Sequence, residues 1–545
     1  MADDRKIHPY IPKLIGQLET RRVDRREFLR TATLLGLSAT TAYGIVGRVF
    51  GESAIPKARA QGKPGGILRV AMEVQKMDDP ATYSWVQMSN QTRHIAEYLA
   101  ITGPDNVTRP MLAESWEASD DLKTWTFHLR QGVKWHNGED FVADHVVWNV
   151  ERWRNPDLGS SNIGLSTFAS MDSVEAADPH TVVFHLSKPV LSAPEDCYNY
   201  PTAILHPSFE APFSDNPIGT GPYTLGEPLA VGDRCILKRI TQTTDGQEFK
   251  YWGEEPYLDE IHYYHFDADN QLTAFASGDV DTIYSFGIEQ YDFAEALGAE
   301  IVAAQTAQTL CCRFKVTEPP FDNKKLRQAL VKAADNLVYQ DLVFQGRGEI
   351  GENHHVSPIH PEYFKLPMIE RDVEGAKALL QEAGVDPGSL QLSIDVGNTD
   401  GPWHQTVTEI WRDQLQEIGV NLNINVMPAS KYWEIWDKTP FGATSWTHRP
   451  LGTMVLSLGY RSGVPWNESS YANPEFDAAL DDAEATLDIE ARRAKMEKVE
   501  KILQDDAVML QPVWRPVFTI INAQVKGYPG HPTQYHQFNQ VWLEA

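Results

Sequence analysis

The chain has 545 residues, 75 acidic against 48 basic, a net charge of −27 and 42% hydrophobic residues. That length holds two or three domains with cores of their own, in a composition ordinary for a soluble globular protein. A surface this acidic repels phosphate backbones, which argues against nucleic acid as a partner.

The first sixty residues read as an address. "DRREFLRTATLLGLSATTAYG" sets Arg25 and Arg26 ahead of Phe28 and Leu29, and an uncharged, mildly apolar run follows from Thr31 to Gly47. The run is short and weakly hydrophobic for a membrane span. With Ala58 and Ala60 in "KARAQG", the pattern resembles a twin-arginine export signal cut after Ala60.

"GGILRVAM" then predicts a strand at Ile67, Leu68, Val70 and Met72. "LKTWTFHLRQGVKWHNG" alternates Trp125, Phe127 and Leu129 against polar partners, as a half-buried hairpin does, and "HTVVFHLSKP" repeats the pattern. "CILKRI" and "EIHYYHF" add strands, and "NQLTAFASGDVD" is a short helix ending at Gly278. The second half changes rhythm. Residues 322–344 carry Leu326, Ala329, Leu330, Ala333 and Leu337 at helical spacing and predict one long amphipathic helix. "DVEGAKALLQEAGV" predicts another helix, stopped at Gly384; "LQLSIDV", "WHQTVTEIWRDQLQEIGV" and "NLNINVM" then alternate strand, helix, strand in an α/β lobe. Residues 473–507 read as nearly all helix, capped by Asn473 and Asp477. "VMLQPVWRPVFTIINAQVKGY" returns to strand. The cysteines Cys197, Cys235, Cys311 and Cys312 form no CxxC pair, so no zinc site of usual spacing exists. A Cys197–Cys235 bridge and free buried thiols stand as equal alternatives.

Six of these phrases, in order, carry a resemblance. "MLAESWEASDDLKTWTFHLRQGVKWHNGEDFVADHVVWNVER", "NPIGTGPYTL", "DNQLTAFASGDVD", "EPPFDNKKLRQALVKAAD", "DVEGAKALLQEAGV" and "FDAALDDAEAT" are similar to blocks of the peptide/nickel/opine (family 5) solute-binding proteins that feed ABC importers. Several have plain structural readings. Gly138 gives "HNG" a positive-φ turn, Asp144 caps the helix beginning near it, and Gly219 and Gly221 permit a tight turn that Pro222 closes.

The resemblance implies an α/β, two-lobed periplasmic-binding-protein-like fold (type II, cluster C), with an extra N-terminal subdomain over roughly 100–215 and the solute in the inter-lobe cleft. Its boundaries here are a signal over 1–60, lobe I over 61–312, lobe II over 313–512 and a return to lobe I over 513–545. It implies hinged capture of a small organic solute of the oligopeptide, opine or modified amino acid type. The partners are permease and ATPase subunits at the inner membrane; the protein itself is a periplasmic monomer without cofactor.

The same likeness points to "SWTHRPLG" as facing the solute, with Trp446 covering it. Dipeptide-binding members place an Asp in the next few positions and an Arg ahead of a helix in the second lobe. Here Thr447, His448, Arg449, Pro450, Leu451 and Gly452 include no acid, and "GNTDGPWHQ" offers Asp400 and Trp403 but no Arg. Both departures argue against free dipeptides. Arg449 instead favours an anionic group, since a guanidinium pairs bidentately with carboxylate, phosphate or sulfate; pairing with a protein acid is the alternative. Tyr83, Trp85 and Gln87 fall on the family's first ligand-facing loop, and Tyr460, Arg461 and Trp466 follow Arg449 along the same wall. Buried aromatic packing competes with each of these readings.

His354, His355 and His360 invite a metal, with a nickel chelate as the family's precedent, but adjacent side chains on an extended segment point apart, and no metal is expected. The patterns G-x-S-x-G, H-E-x-x-H and a Walker loop are all absent. An enzyme is therefore not expected; a carboxylate-based secreted hydrolase and a sensory solute-binding partner are the alternatives.

Overall fold

The computed structural model describes residues 7–50 and 62–544 and divides into two compact units, Met1–Tyr284 with Ile520–Ala545, and Ser285–Thr519. The chain therefore passes from the first unit to the second and back.

Residues 7–50 belong to the first unit as three helices, Ile11–Glu19, Arg25–Leu34 and Ala39–Phe50. Asp24 caps the second, accepting from the Glu27 N–H at 2.8 Å. Arg25 and Arg26 lie exposed in its first turn. The stretch from Thr31 to Gly47 is not one run: Gly36 breaks it with φ +87°, and a Cβ there would meet the Trp116 carbonyl oxygen at 2.5 Å. The Trp116 indole donates to the carbonyls of Thr33 and Leu34, both at 3.1 Å, and Arg30 reaches to 3.8 Å from Glu195. The expected cut after Ala60 lies outside the described residues. No described helix is long and apolar enough to cross a membrane.

The first unit is built on a sheet in which Ile67–Ala71 lies parallel to both Glu260–Tyr264 and Thr282–Ile283, with Arg234–Arg239 and Tyr223–Leu225 added antiparallel at one edge. Leu68 and Val70 are fully buried, as a strand flanked on both sides requires. A second, antiparallel sheet runs Ala113–Ala118, Thr124–Leu129, Thr181–Leu186, Met171–Asp178. Trp125, Phe127 and Leu129 are its buried face, and the Trp125 indole finds the Val190 carbonyl at 3.0 Å. Helix Ala143–Arg154 starts from Val142, so Asp144 sits in the first turn rather than at the cap and acts through the helix dipole. Gly138 takes φ +88°. Gly219 and Gly221 do not take positive φ: a Cβ would fall 1.9 Å from the Ile95 carbonyl oxygen and 2.4 Å from that of His94. Close backbone approach, not turn geometry, demands them.

The second unit carries the parallel strands Asn421–Val426 and Gln391–Val396 joined by helix Trp403–Gln416, then Phe441–Trp446 parallel to Gln391–Val396 and antiparallel to the long strand Glu300–Phe314. Phe314, Phe321, Trp411 and Phe441 pack at its centre with ring centroids 5.0–6.0 Å apart. Two runs expected as single helices are each split. Lys324–Lys332 and Asn336–Phe344 part at Asp335, whose side chain accepts from Leu337 N–H; Pro474–Glu484 and Ile489–Asp506 part at Asp488, which accepts from Ala491 N–H. An Asp that captures a backbone N–H restarts a helix at its own position. The restart turns Leu337 outward, to 47% exposure. Asn473 is an N-cap, while Asp477 lies in the first turn. All four cysteines are free and buried.

Candidate functional site

Strand Phe441–Trp446 organises the site in the second unit, because its alternating side chains serve two polar nodes. Trp446, 5% exposed, donates its indole N–H to Glu468 Oε1 at 2.8 Å. Glu468 Oε2 accepts from Arg313 Nε at 3.0 Å and from Thr444 Oγ1 at 2.5 Å. The Trp446 ring meets Trp466 edge-on at 5.9 Å and His355 at 5.3 Å, and Gly459 leaves it room, since a Cβ there would come to 3.0 Å. Arg449 lies 5.8 Å from the Trp466 ring centroid, and its Nη1 donates to Thr447 Oγ1 at 2.7 Å and to the carbonyls of Thr447 and His448. His448 Nδ1 accepts from the Ala307 N–H at 3.0 Å, which fixes its ring. The fold thus gathers Trp446, His448, Arg449 and Trp466. The Tyr460 hydroxyl turns to the core, 2.8 Å from His355 Nδ1, 3.0 Å from Met509 Sδ and 3.7 Å from Cys311 Sγ; burial holds its pKa well above the usual phenol value. Arg461 pairs with Asp481 and Glu484.

The neighbouring node supplies the guanidinium that "GNTDGPWHQ" lacks. Arg515, from a strand more than a hundred residues later, lies 3.3 Å from Asp400 and 5.0 Å from the Trp403 ring centroid. Asp400 also holds His404 and Gln308 and accepts from Ser445 Oγ at 3.2 Å. Burial pushes the Asp400 carboxyl up, but Arg515 and His404 outweigh it and leave it below the usual carboxylate range. Arg515 Nε, Gln308 Oε1 and Gln511 Oε1 are buried with no partner among the described residues. Polar atoms left so in a core call for a ligand or water. Nothing near Asp400 in sequence points to Arg515, so local reading could not find this node.

In the first unit, Tyr83, Trp85 and Gln87 are all buried. The Tyr83 hydroxyl shares a hydrogen bond with Thr92 Oγ1 at 2.9 Å, and Gln87 Oε1 has no partner among the described residues. The three histidines part company. His354 faces Glu352 at 2.8 Å, His355 faces Tyr460, and His360 Nε2 faces the Arg449 carbonyl at 3.0 Å. The segment is not extended, for His355 has φ +59°. Among the described residues no group of three or more His, Cys, Asp or Glu is arranged to hold a metal ion.

Comparison with known proteins places this geometry. The periplasmic oligopeptide-binding protein OppA of Haemophilus influenzae is 25% identical over 84% of this chain and 90% of its own length. The solved DppA of Helicobacter pylori, an ABC transporter-associated periplasmic binding protein in complex with the peptide STSA, superposes with a TM-score of 0.79 at 22% identity, over 89% of this chain and 99% of the other. The binding protein AgaA of Agrobacterium tumefaciens R10, solved with agropinic acid, gives 0.78 at 22% identity, over 88% and 99%. These likenesses give the chain the two-lobed α/β fold of periplasmic binding proteins. Residues 107–463, more than half of the sequence, match the family described as "Bacterial extracellular solute-binding proteins, family 5 Middle", and the chain belongs to that family of substrate-binding proteins.

Proposed function

We propose that this chain is the periplasmic solute-capturing subunit of an ABC importer and that its solute is a small organic molecule with an anionic group, of the peptide, opine or modified amino acid type. The observation that carries the reading is the pair of buried guanidinium–indole arrangements in the second unit, Arg449 with Trp466 and Arg515 with Trp403. A guanidinium offers two parallel N–H donors to a carboxylate, and an indole face covers an apolar or cationic part of the same molecule. Gln308 Oε1 and Gln511 Oε1, with no partner among the described residues, offer acceptors to an ammonium or amide. The peptide bound by the Helicobacter pylori DppA and the agropinic acid bound by AgaA fit that donor set. The chain performs no chemistry on its solute; permease and ATPase subunits drive import. Export by the twin-arginine route with a cut after Ala60 completes the reading, and exposed Arg25 and Arg26 are the residues to be recognised.

A thermal-shift screen of peptides, opines, betaines and organic acids tests it. A ligand bound only by the native state raises Tm with saturation. The expected hit is anionic, leaves the incubation unchanged, and loses affinity in a folded Arg449→Ala variant. Turnover of the hit would refute the binder, and unchanged affinity in Arg449→Ala would refute the anion-binding role.

A further inference from the structure

A cavity of about 190 Å³ lies wholly within the first unit, between residues 93–111 and the C-terminal segment 529–540. Arg93, on its wall, is 7% exposed. Its Nε donates to Asn90 Oδ1 at 3.1 Å, Nη1 to the Tyr198 hydroxyl at 3.0 Å and Nη2 to Ser89 Oγ at 2.9 Å. Its guanidinium carbon lies 3.9 Å from the Tyr535 ring centroid and 5.4 and 5.7 Å from those of Tyr98 and Tyr198. All these partners are neutral, and no carboxylate pairs with it among the described residues. Buried charges in proteins are ordinarily paired, and a guanidinium has five N–H donors, of which three are used here.

The cavity's one acid does not supply the missing charge. Glu97 accepts from the Tyr251 hydroxyl at 2.7 Å, the Trp252 indole at 2.7 Å and Thr220 Oγ1 at 2.8 Å. Burial pushes its carboxyl up, and Arg130 pulls it back down. On the wall with Arg93, His536 is 2% exposed, with Nδ1 3.0 Å from the Tyr263 hydroxyl and Nε2 without a partner among the described residues. Burial drives His94 down to about 3 and His536 well below its ordinary value, so both rings are neutral. When Tyr263 donates to Nδ1, the His536 proton sits on Nε2 and is offered to an acceptor.

We propose that the first unit holds a second binding site, separate from the constellation around Trp446, which takes a small organic monocarboxylate. Its carboxylate sits against Arg93 and the His536 Nε2–H, and its apolar body lies against Tyr98, Ile101 and Met111. The volume suits a six-membered ring, since a cavity of about 150 Å³ holds benzene. The inference does not depend on the solute captured in the second unit.

Isothermal titration of the full chain with sodium benzoate, and with benzamide as the uncharged isostere, tests it. We expect saturable one-to-one binding of benzoate and affinity for benzamide at least about tenfold lower. Ile101→Trp, which fills the cavity from its apolar wall, abolishes binding; Arg93→Gln weakens it at least about tenfold. Arg449→Ala, in the second unit, leaves it unchanged. The site is refuted by no benzoate binding, by equal affinity for benzamide, by binding that survives Ile101→Trp, or by loss in Arg449→Ala. If Arg93→Gln does not fold, the Ile101→Trp result decides.

Discussion

Glu468→Gln keeps the shape of the Trp446 corner and removes its charge. The native carboxylate accepts three hydrogen bonds, from Arg313 and Thr444 on Oε2 and from Trp446 on Oε1. A carboxamide has one acceptor oxygen, so whichever way it is turned its NH2 group faces a donor. Arg313 is 1% exposed and retains only the carbonyls of Thr439 and Trp436. Removing one partner of a buried ion pair costs about 3–5 kcal/mol. The conserved volume leaves no cavity and one acceptor survives, so the lower end, about 3 kcal/mol, applies. Native-state hydrogen exchange read by mass spectrometry resolves this by segment. Peptides covering Phe441–Trp446 and Glu300–Phe314 should exchange about 100-fold faster, at about 1.4 kcal/mol per decade, while Ile67–Ala71 in the first unit is unaffected. A change under about fivefold in the second unit would show that Glu468 does not hold the corner by charge.

Asp400→Asn should destabilise the second unit by about 2–4 kcal/mol at pH 7 in urea unfolding. Because the folded carboxyl lies below its unfolded value near ~3.9, its contribution is full above that value and is lost as pH falls through the folded pKa. The gap to wild type should therefore narrow as pH falls below about 3.9, and a gap unchanged with pH would contradict the charge pairing with Arg515. Gly219→Ala drives a Cβ into the Ile95 carbonyl, and a Tm within about 2 °C of wild type would refute that clash. Burial raises the pKa of all four thiols, so Cys197, Cys235, Cys311 and Cys312 should be silent to a thiol reagent in the native chain and all titrate after denaturation; fewer than four would reveal a bridge.

What the sequence makes legible is periodic. The alternation of Trp125, Phe127 and Leu129 predicts the inner face of a sheet, and the βαβ unit from Gln391 to Val426 stands where its rhythm puts it. Helix breaks at Asp335 and Asp488 are local as well, but a capping Asp reads as solvent face until its N–H partner is known. Of the candidate residues, Trp446, Arg449 and Trp466 lie within one stretch of the chain and do meet. Arg515, Glu468, Gln308 and Arg93 are not legible, because each acquires its meaning from residues brought to it by tertiary pairing. The close approach at Gly219 is likewise invisible, since the opposing carbonyl belongs to Ile95.

The three N-terminal helices have a practical consequence. Trp116 rests its indole on the carbonyls of Thr33 and Leu34, and Glu195 faces Arg30. A preparation that starts at Gln61 therefore uncovers the Trp116 indole and takes Arg30 away from Glu195, both of which the full chain keeps covered. The full chain and the shortened one are in that respect two different colloids. Any contrast in their tendency to clump should be sought first on that one face, not in the binding constellation.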